Sequence, residues 1–141
     1  MIDQLAIASG MILLTILIHA LGLLGLRRVV GLELTHSHLD LQSHVTVRGV
    51  AVTVTVVLGV FVLHGIEIWL YAGLYRLLGA LPDMHEAVYF STITYGTVGY
   101  DDEGIERSWE LIAAIEGING IILLGWSTAF FVSVGSRVAR H

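Results

Sequence analysis

The chain has 141 residues, of which 55% are hydrophobic and only 13% charged, with a mean hydropathy of +0.81. That balance lies outside the range of a water-soluble domain, and a chain this short cannot bury so much apolar surface within itself, so lipid or sister subunits must cover it. The absence of cysteine excludes a disulfide framework, a thiol nucleophile and a Cys-ligated metal, and the seven basic residues, all arginine, form no polybasic run for nucleic acid.

Residues 5–26 carry no formal charge and are interrupted only by His19, long enough to cross a bilayer as a helix. Met1-Ile2-Asp3-Gln4 has no positive charge and the arginines follow the apolar run, which argues against a cleaved signal peptide. Residues 27–48, with Glu33, Asp40 and three histidines, are expected to be an aqueous loop. His36-Ser37-His38, with Asp40 and His44, has the residue types of a zinc or nickel site, although short histidine-bearing loops are usually solvated.

The second span is expected at residues 49–75. Its first part, Val50-Ala51-Val52-Thr53-Val54-Thr55-Val56, alternates like a strand, but the apolar run continues through Leu63, far beyond the ~9–11 residues of a barrel strand, so a helix is expected. A third span, residues 111–134, is interrupted by Glu116 and Asn119, and its Gly117, Gly120 and Gly125 offer small faces for close helix contact. Arg27, Arg28, Arg48, Arg137 and Arg140 fall on one side of these spans, Arg76 and Arg107 on the other. The arginine-rich side is expected to be cytoplasmic, with the N-terminus outside and the C-terminus inside. Trp69, Trp109 and Trp126 are read as lipid or interface anchors.

Between spans two and three, residues 78–107 are too polar to cross and too apolar in the middle for an ordinary loop. Pro82, Asp83 as N-cap and Glu86 three residues later predict a short helix from Met84 to about Thr94, stopped by Gly96 and Gly99. At ~1.5 Å per residue it reaches about halfway through a ~30 Å hydrocarbon core, and irregular backbone at that depth is tolerated only where protein or a water-filled path surrounds it. A re-entrant segment is expected.

The residues that follow carry a resemblance. Phe90-Ser91-Thr92-Ile93-Thr94-Tyr95-Gly96-Thr97-Val98-Gly99-Tyr100-Asp101-Asp102 is similar to the pore helix and filter of potassium channels, and residues 50–137 resemble the small bacterial two-helix-pore potassium channels, here with one extra N-terminal span. The resemblance implies an all-α integral membrane protein: three transmembrane helices plus a re-entrant pore helix and filter loop, assembled as a homotetramer. Residues 1–45 would be the N-terminal helix and cytoplasmic loop, and 46–141 the pore domain, with outer helix 49–77, pore helix 84–95, filter 97–101 and inner helix 108–137.

It implies passive potassium permeation with no enzyme chemistry, K⁺ being held by backbone carbonyls of Thr97, Val98, Gly99 and Tyr100 and the Thr97 hydroxyl. The helix C-terminus would favour a cation in the cavity. Gly120 falls near the family's inner-helix hinge, although packing is the commoner use of such a glycine, and Ile121, Leu124 and Thr128 are candidate cavity positions. No cofactor is implied; the partners are the lipid bilayer and sister copies, in a cell membrane, a bacterial inner membrane on the resemblance.

Two positions depart from the family pattern: Asp101 stands where glycine is usual, and Gly96 where threonine often precedes the filter. Asp101, with Asp102 and Glu103, makes the outer mouth acidic and a candidate site for Ca²⁺ or another divalent ion. A non-selective or divalent-permeable channel therefore stays open, as does a non-conducting assembly protein. Finally, His64 and Glu67 share a helical face, and Glu116 lies at a comparable depth, so a buried polar group is expected, serving structure or proton sensing, with His19 able to join it.

Overall fold

The computed structural model describes residues 1–35, 45–99 and 105–138. Every regular element among them is helical: α1 (Ile2–Thr35), α2 (Val45–Leu77), α3 (Met84–Tyr95), a 3₁₀ turn (Arg107–Trp109) and α4 (Glu110–Val138). Three stretches, Ile2–Gly31, Gly49–Leu77 and Arg107–Ser136, are long and apolar enough to cross a membrane, so the chain is a multi-pass membrane protein.

The loop expected over residues 27–48 does not begin at residue 27. α1 runs on to Thr35 and α2 begins at Val45. Arg27 and Arg28 mark where the apolar run ends, but a helix satisfies its backbone internally in water as well as in lipid. Residues 27–35 contain no proline, and leucine, arginine and glutamate are good helix formers.

The strand-like valine run is helical throughout. At helical spacing Val52 and Val56 share a face and are buried against Val30 of α1 and Val134 of α4, whereas Val50 and Val54 point outward. On α1, the exposed Leu13, Leu17, Leu21 and Leu24 form an apolar outer stripe, so the helix is hydrophobic on its outer face too, as a lipid-facing helix must be.

α2 stops in a Schellman cap. Ala80 N donates to Tyr75 O at 2.9 Å and Gly79 N to Arg76 O at 3.2 Å, around Gly79 at φ +68°. The Arg76 guanidinium donates to Leu81 O at 2.7 Å, which turns the chain toward α3.

α1 packs against α2 and α4, and α3 sits between α2 and α4. The main core forms around α3: Tyr71, Ala72 and Tyr75 from α2, Ala87, Phe90 and Tyr95 from α3, and Ile112, Ala113 and Leu123 from α4. Along the α1–α2 seam each helix sets a glycine under the other's leucine, Gly22 under Leu63 and Gly59 under Leu26.

Candidate functional site

α3 and the turn after it form the candidate site. Asp83 caps the helix from extended backbone, its carboxylate accepting from Glu86 N at 2.8 Å. The other end is built differently from the expectation that Gly96 and Gly99 stop it. Gly96 stays right-handed at φ −77°, and the reversing residue is Thr97, at φ +53° the only non-glycine with positive φ among the described residues. Val98 N donates to Ile93 O at 3.0 Å and Thr97 N to Thr94 O at 3.1 Å, a second Schellman cap. Its left-handed position holds a β-branched threonine where glycine would be cheap. Such a residue costs on the order of 1–3 kcal/mol and persists only where its surroundings enforce it, most often at functional sites.

The turn borders an open cleft of about 680 Å³, with Ile93, Thr94, Thr97 and Gly99 on one side and Ala114, Gly117, Ile118 and Ile121 of α4 on the other. Val98 is 80% exposed. Thr94 Oγ1 is buried without a hydrogen-bond partner among the described residues. The structure thus brings Thr97, Gly99 and Ile121 together, while Leu124 and Thr128 lie farther along the exposed side of α4, the Thr128 hydroxyl donating to Leu124 O at 2.9 Å. Tyr100, Asp101, Asp102 and Glu103 lie outside the described residues, as do His36, His38, Asp40 and His44.

Gly120 lies under the end of α3. A Cβ there would strike the Tyr95 carbonyl oxygen and stand 3.0 Å from Tyr95 C, both backbone atoms that cannot rotate away. In this structure Gly120 is a packing contact.

Behind the turn lies a buried polar layer, which the sequence reading assembled in part incorrectly. His64 and Glu67 do meet, with His64 Nδ1 3.2 Å from Glu67 Oε2, and His19 joins them, its Nδ1 2.9 Å from Glu67 Oε1. Tyr95 Oη donates to Glu67 Oε2 at 2.5 Å and lies 2.9 Å from His64 Nδ1. Ser127 Oγ lies 3.0 Å from His64 Nε2 and 3.2 Å from His19 Nε2.

Glu116 does not complete this group. Although fully buried, it binds elsewhere, accepting from the Ser91 hydroxyl at 2.5 Å and from the Tyr75 hydroxyl. A third cluster has the Asn119 amide donating to Thr15 Oγ1 at 2.8 Å and Tyr71 Oη at 3.2 Å. Depth along the helix was the basis for grouping Glu116 with Glu67. Azimuth decides instead, because α3 stands between α2 and α4 and supplies Glu116 with its own hydroxyl, Ser91.

Sequence reasoning missed Tyr95, Ser127, Tyr75 and Ser91 in these roles. The first two are hydroxyl residues within otherwise apolar or small neighbourhoods at membrane depth, and that cost of burial was the available signal. Among the tryptophans, Trp69 is exposed, Trp109 packs on the main core, and Trp126 is exposed with its ring tilted against His19, the ring centroids 5.4 Å apart.

A short capped helix packed between two helices long and apolar enough to span, followed by a strained turn open to a cleft, defines a multi-pass membrane protein. A family model described as ion channel matches residues 52–137, which includes α3, the turn, most of α2 and nearly all of α4. The chain belongs to the ion channel family. No curated protein and no solved structure matches it.

Proposed function

We propose that the chain forms a homotetrameric, potassium-conducting cation channel in which α3 is the pore helix and the backbone from Thr97 to Tyr100, with Asp101 beyond it, is the filter. One observation carries this reading: within a chain of the ion channel family, α3 delivers Thr97 in a left-handed conformation to the edge of an open cleft on α4. Conformations of that kind turn successive carbonyls in directions regular structure does not allow, as a carbonyl-lined ion path requires. The exposed Val98 and the exposed α4 positions Ile118 and Ile121 are surfaces for sister subunits or pore water to cover. Each chain supplies one pore segment, so a closed ring needs several copies.

In this arrangement the helix C-terminus directs its partial negative charge at the cation path, and no bond is made or broken by the protein. The N-terminus lies outside and the C-terminus in the cytoplasm. The acidic run Asp101-Asp102-Glu103 favours a second reading on the same scaffold, in which divalent ions bind at the mouth and compete with monovalent current.

Flux from proteoliposomes loaded with K⁺ or Na⁺, with and without Ca²⁺, tests both. Potassium flux well above sodium flux is the expected outcome. Equal flux of both ions would replace the potassium assignment with the non-selective one, and no flux from verified tetramers would leave the non-conducting assembly role.

A further inference from the structure

The two imidazoles of the polar layer are oriented alike. Both Nδ1 atoms meet the Glu67 carboxylate, at 2.9 and 3.2 Å, and both Nε2 atoms face the single oxygen of Ser127, at 3.2 and 3.0 Å. Tyr95 Oη completes the Nδ1 side, 2.9 Å from His64 Nδ1 and 2.5 Å from Glu67 Oε2. His19 and Glu67 are fully buried, and ligand atoms of His19, His64 and Glu67 all lie within 4.8 Å of one another.

Protons alone can fill this arrangement as an ion pair. With Glu67 ionised, one ring proton is needed between His19 and Oε1. A second lets His64 Nδ1 donate, because the Tyr95 proton is already given to Glu67. A third lets one Nε2 donate to Ser127, whose own proton serves the other ring. Three protons on two rings make one of them an imidazolium paired with the Glu67 carboxylate.

We infer that His19, His64, Glu67 and Tyr95 form a buried transition-metal site, with Zn²⁺ as the ion its two nitrogens and two oxygens suit. Each ring is then neutral, with Nδ1 on the metal and Nε2–H donated to Ser127 Oγ, the outer partner that metal-bound histidines regularly have. Binding releases the Tyr95 proton and one ring proton to solvent, after which the carboxylate and the Tyr95 phenolate balance the two charges of the ion. Tetrahedral bonds of ~2.0–2.1 Å place ligand atoms about 3.3 Å apart, so the hydrogen-bonded pairs, now 2.5 to 3.2 Å apart, spread slightly on binding, within a cluster whose histidine and Glu67 ligand atoms span no more than 4.8 Å. The site joins α1, α2 and α3, with α4 behind it, two residues before Thr97.

The test uses the tag-free full chain in detergent, stripped with chelator, with His36, His38 and His44 replaced by alanine so that the loop contributes no ligand. Titration with Co²⁺ is expected to give one ion per chain with the intense visible absorption of tetrahedral cobalt, displaced by Zn²⁺. Glu67→Gln and His64→Ala should abolish that absorption. Ser127→Ala keeps all four ligands, so it should retain the band while weakening affinity about 10- to 100-fold, and it carries the test if the ligand variants do not fold. A folded parent chain with no tetrahedral band, or Ser127→Ala with unchanged affinity, overturns the site. The readout needs no current, so its failure is separate from failure of the channel reading.

Discussion

Gly22 and Gly120 both sit where a Cβ would collide, but the collisions differ in kind. Gly22 meets the end of the Leu63 side chain, which can rotate, and Gly120 meets the Tyr95 backbone, which cannot. Gly120→Ala is therefore expected to destabilise the protein by about 1–3 kcal/mol, the range for overpacking, while Gly22→Ala stays close to parent, as thermal unfolding in detergent would show. Glu116→Ala removes the acceptor of the Ser91 and Tyr75 hydroxyls and should cost on the order of 1–3 kcal/mol. A double-mutant cycle of Glu116→Ala with His64→Ala should then be additive, because the two residues share no hydrogen bond in the structure; a strong coupling would reunite them in one network. At the proposed mouth, Asp101→Gly should relieve divalent block and raise the potassium-to-sodium permeability ratio. Identical values for variant and parent in planar bilayers would remove Asp101 from the ion path.

At the scale of the element, α3 depends on both of its caps. Asp83→Ala leaves Glu86 N without its acceptor and is expected to cost about 1 kcal/mol, seen as a lowered unfolding midpoint. This N-cap was legible because capping is local: Asp83 and Glu86 are three residues apart, and the chemistry is complete within one turn. The residue that reverses the chain at the C-terminal end was not legible. Glycine is the cheap occupant of a left-handed position, so Gly96 was the natural candidate, yet the reversal falls at Thr97 because Gly96 continues the helix and Val98 and Thr97 bond back to Ile93 and Thr94. The end of α1 was misplaced for a related reason. Hydropathy reports the edge of the apolar run near Arg27, whereas the helix runs on through Arg27 and Arg28 to Thr35.

For the whole molecule, the proposed orientation rests on the arginine distribution and the proposed assembly on the one candidate pore segment in each chain. Because the chain has no native cysteine, single cysteines at Ser37 and Glu103 should react with impermeant reagents from opposite sides of the membrane. Labelling from the same side would overturn the topology. Cross-linked or native-mass tetramers of the purified chain are expected alongside, and a monomer as the sole species in a conducting preparation would contradict the proposed pore.

The amino-acid sequence by itself determined the membrane class, three spanning helices and the capped start of α3, since hydropathy, length and capping are local properties of consecutive residues. It also singled out His64, Glu67 and Glu116, because ionisable groups are costly in an apolar span wherever they point. Which of them meet was decided only by tertiary structure. A span's sequence says how deep a side chain lies, but its partner depends on how each helix is rotated about its axis and on what is packed between. That rotation brought His19 and Tyr95 to Glu67 and Ser127 to the two histidines, and the insertion of α3 between α2 and α4 gave Glu116 the Ser91 hydroxyl beside that of Tyr75.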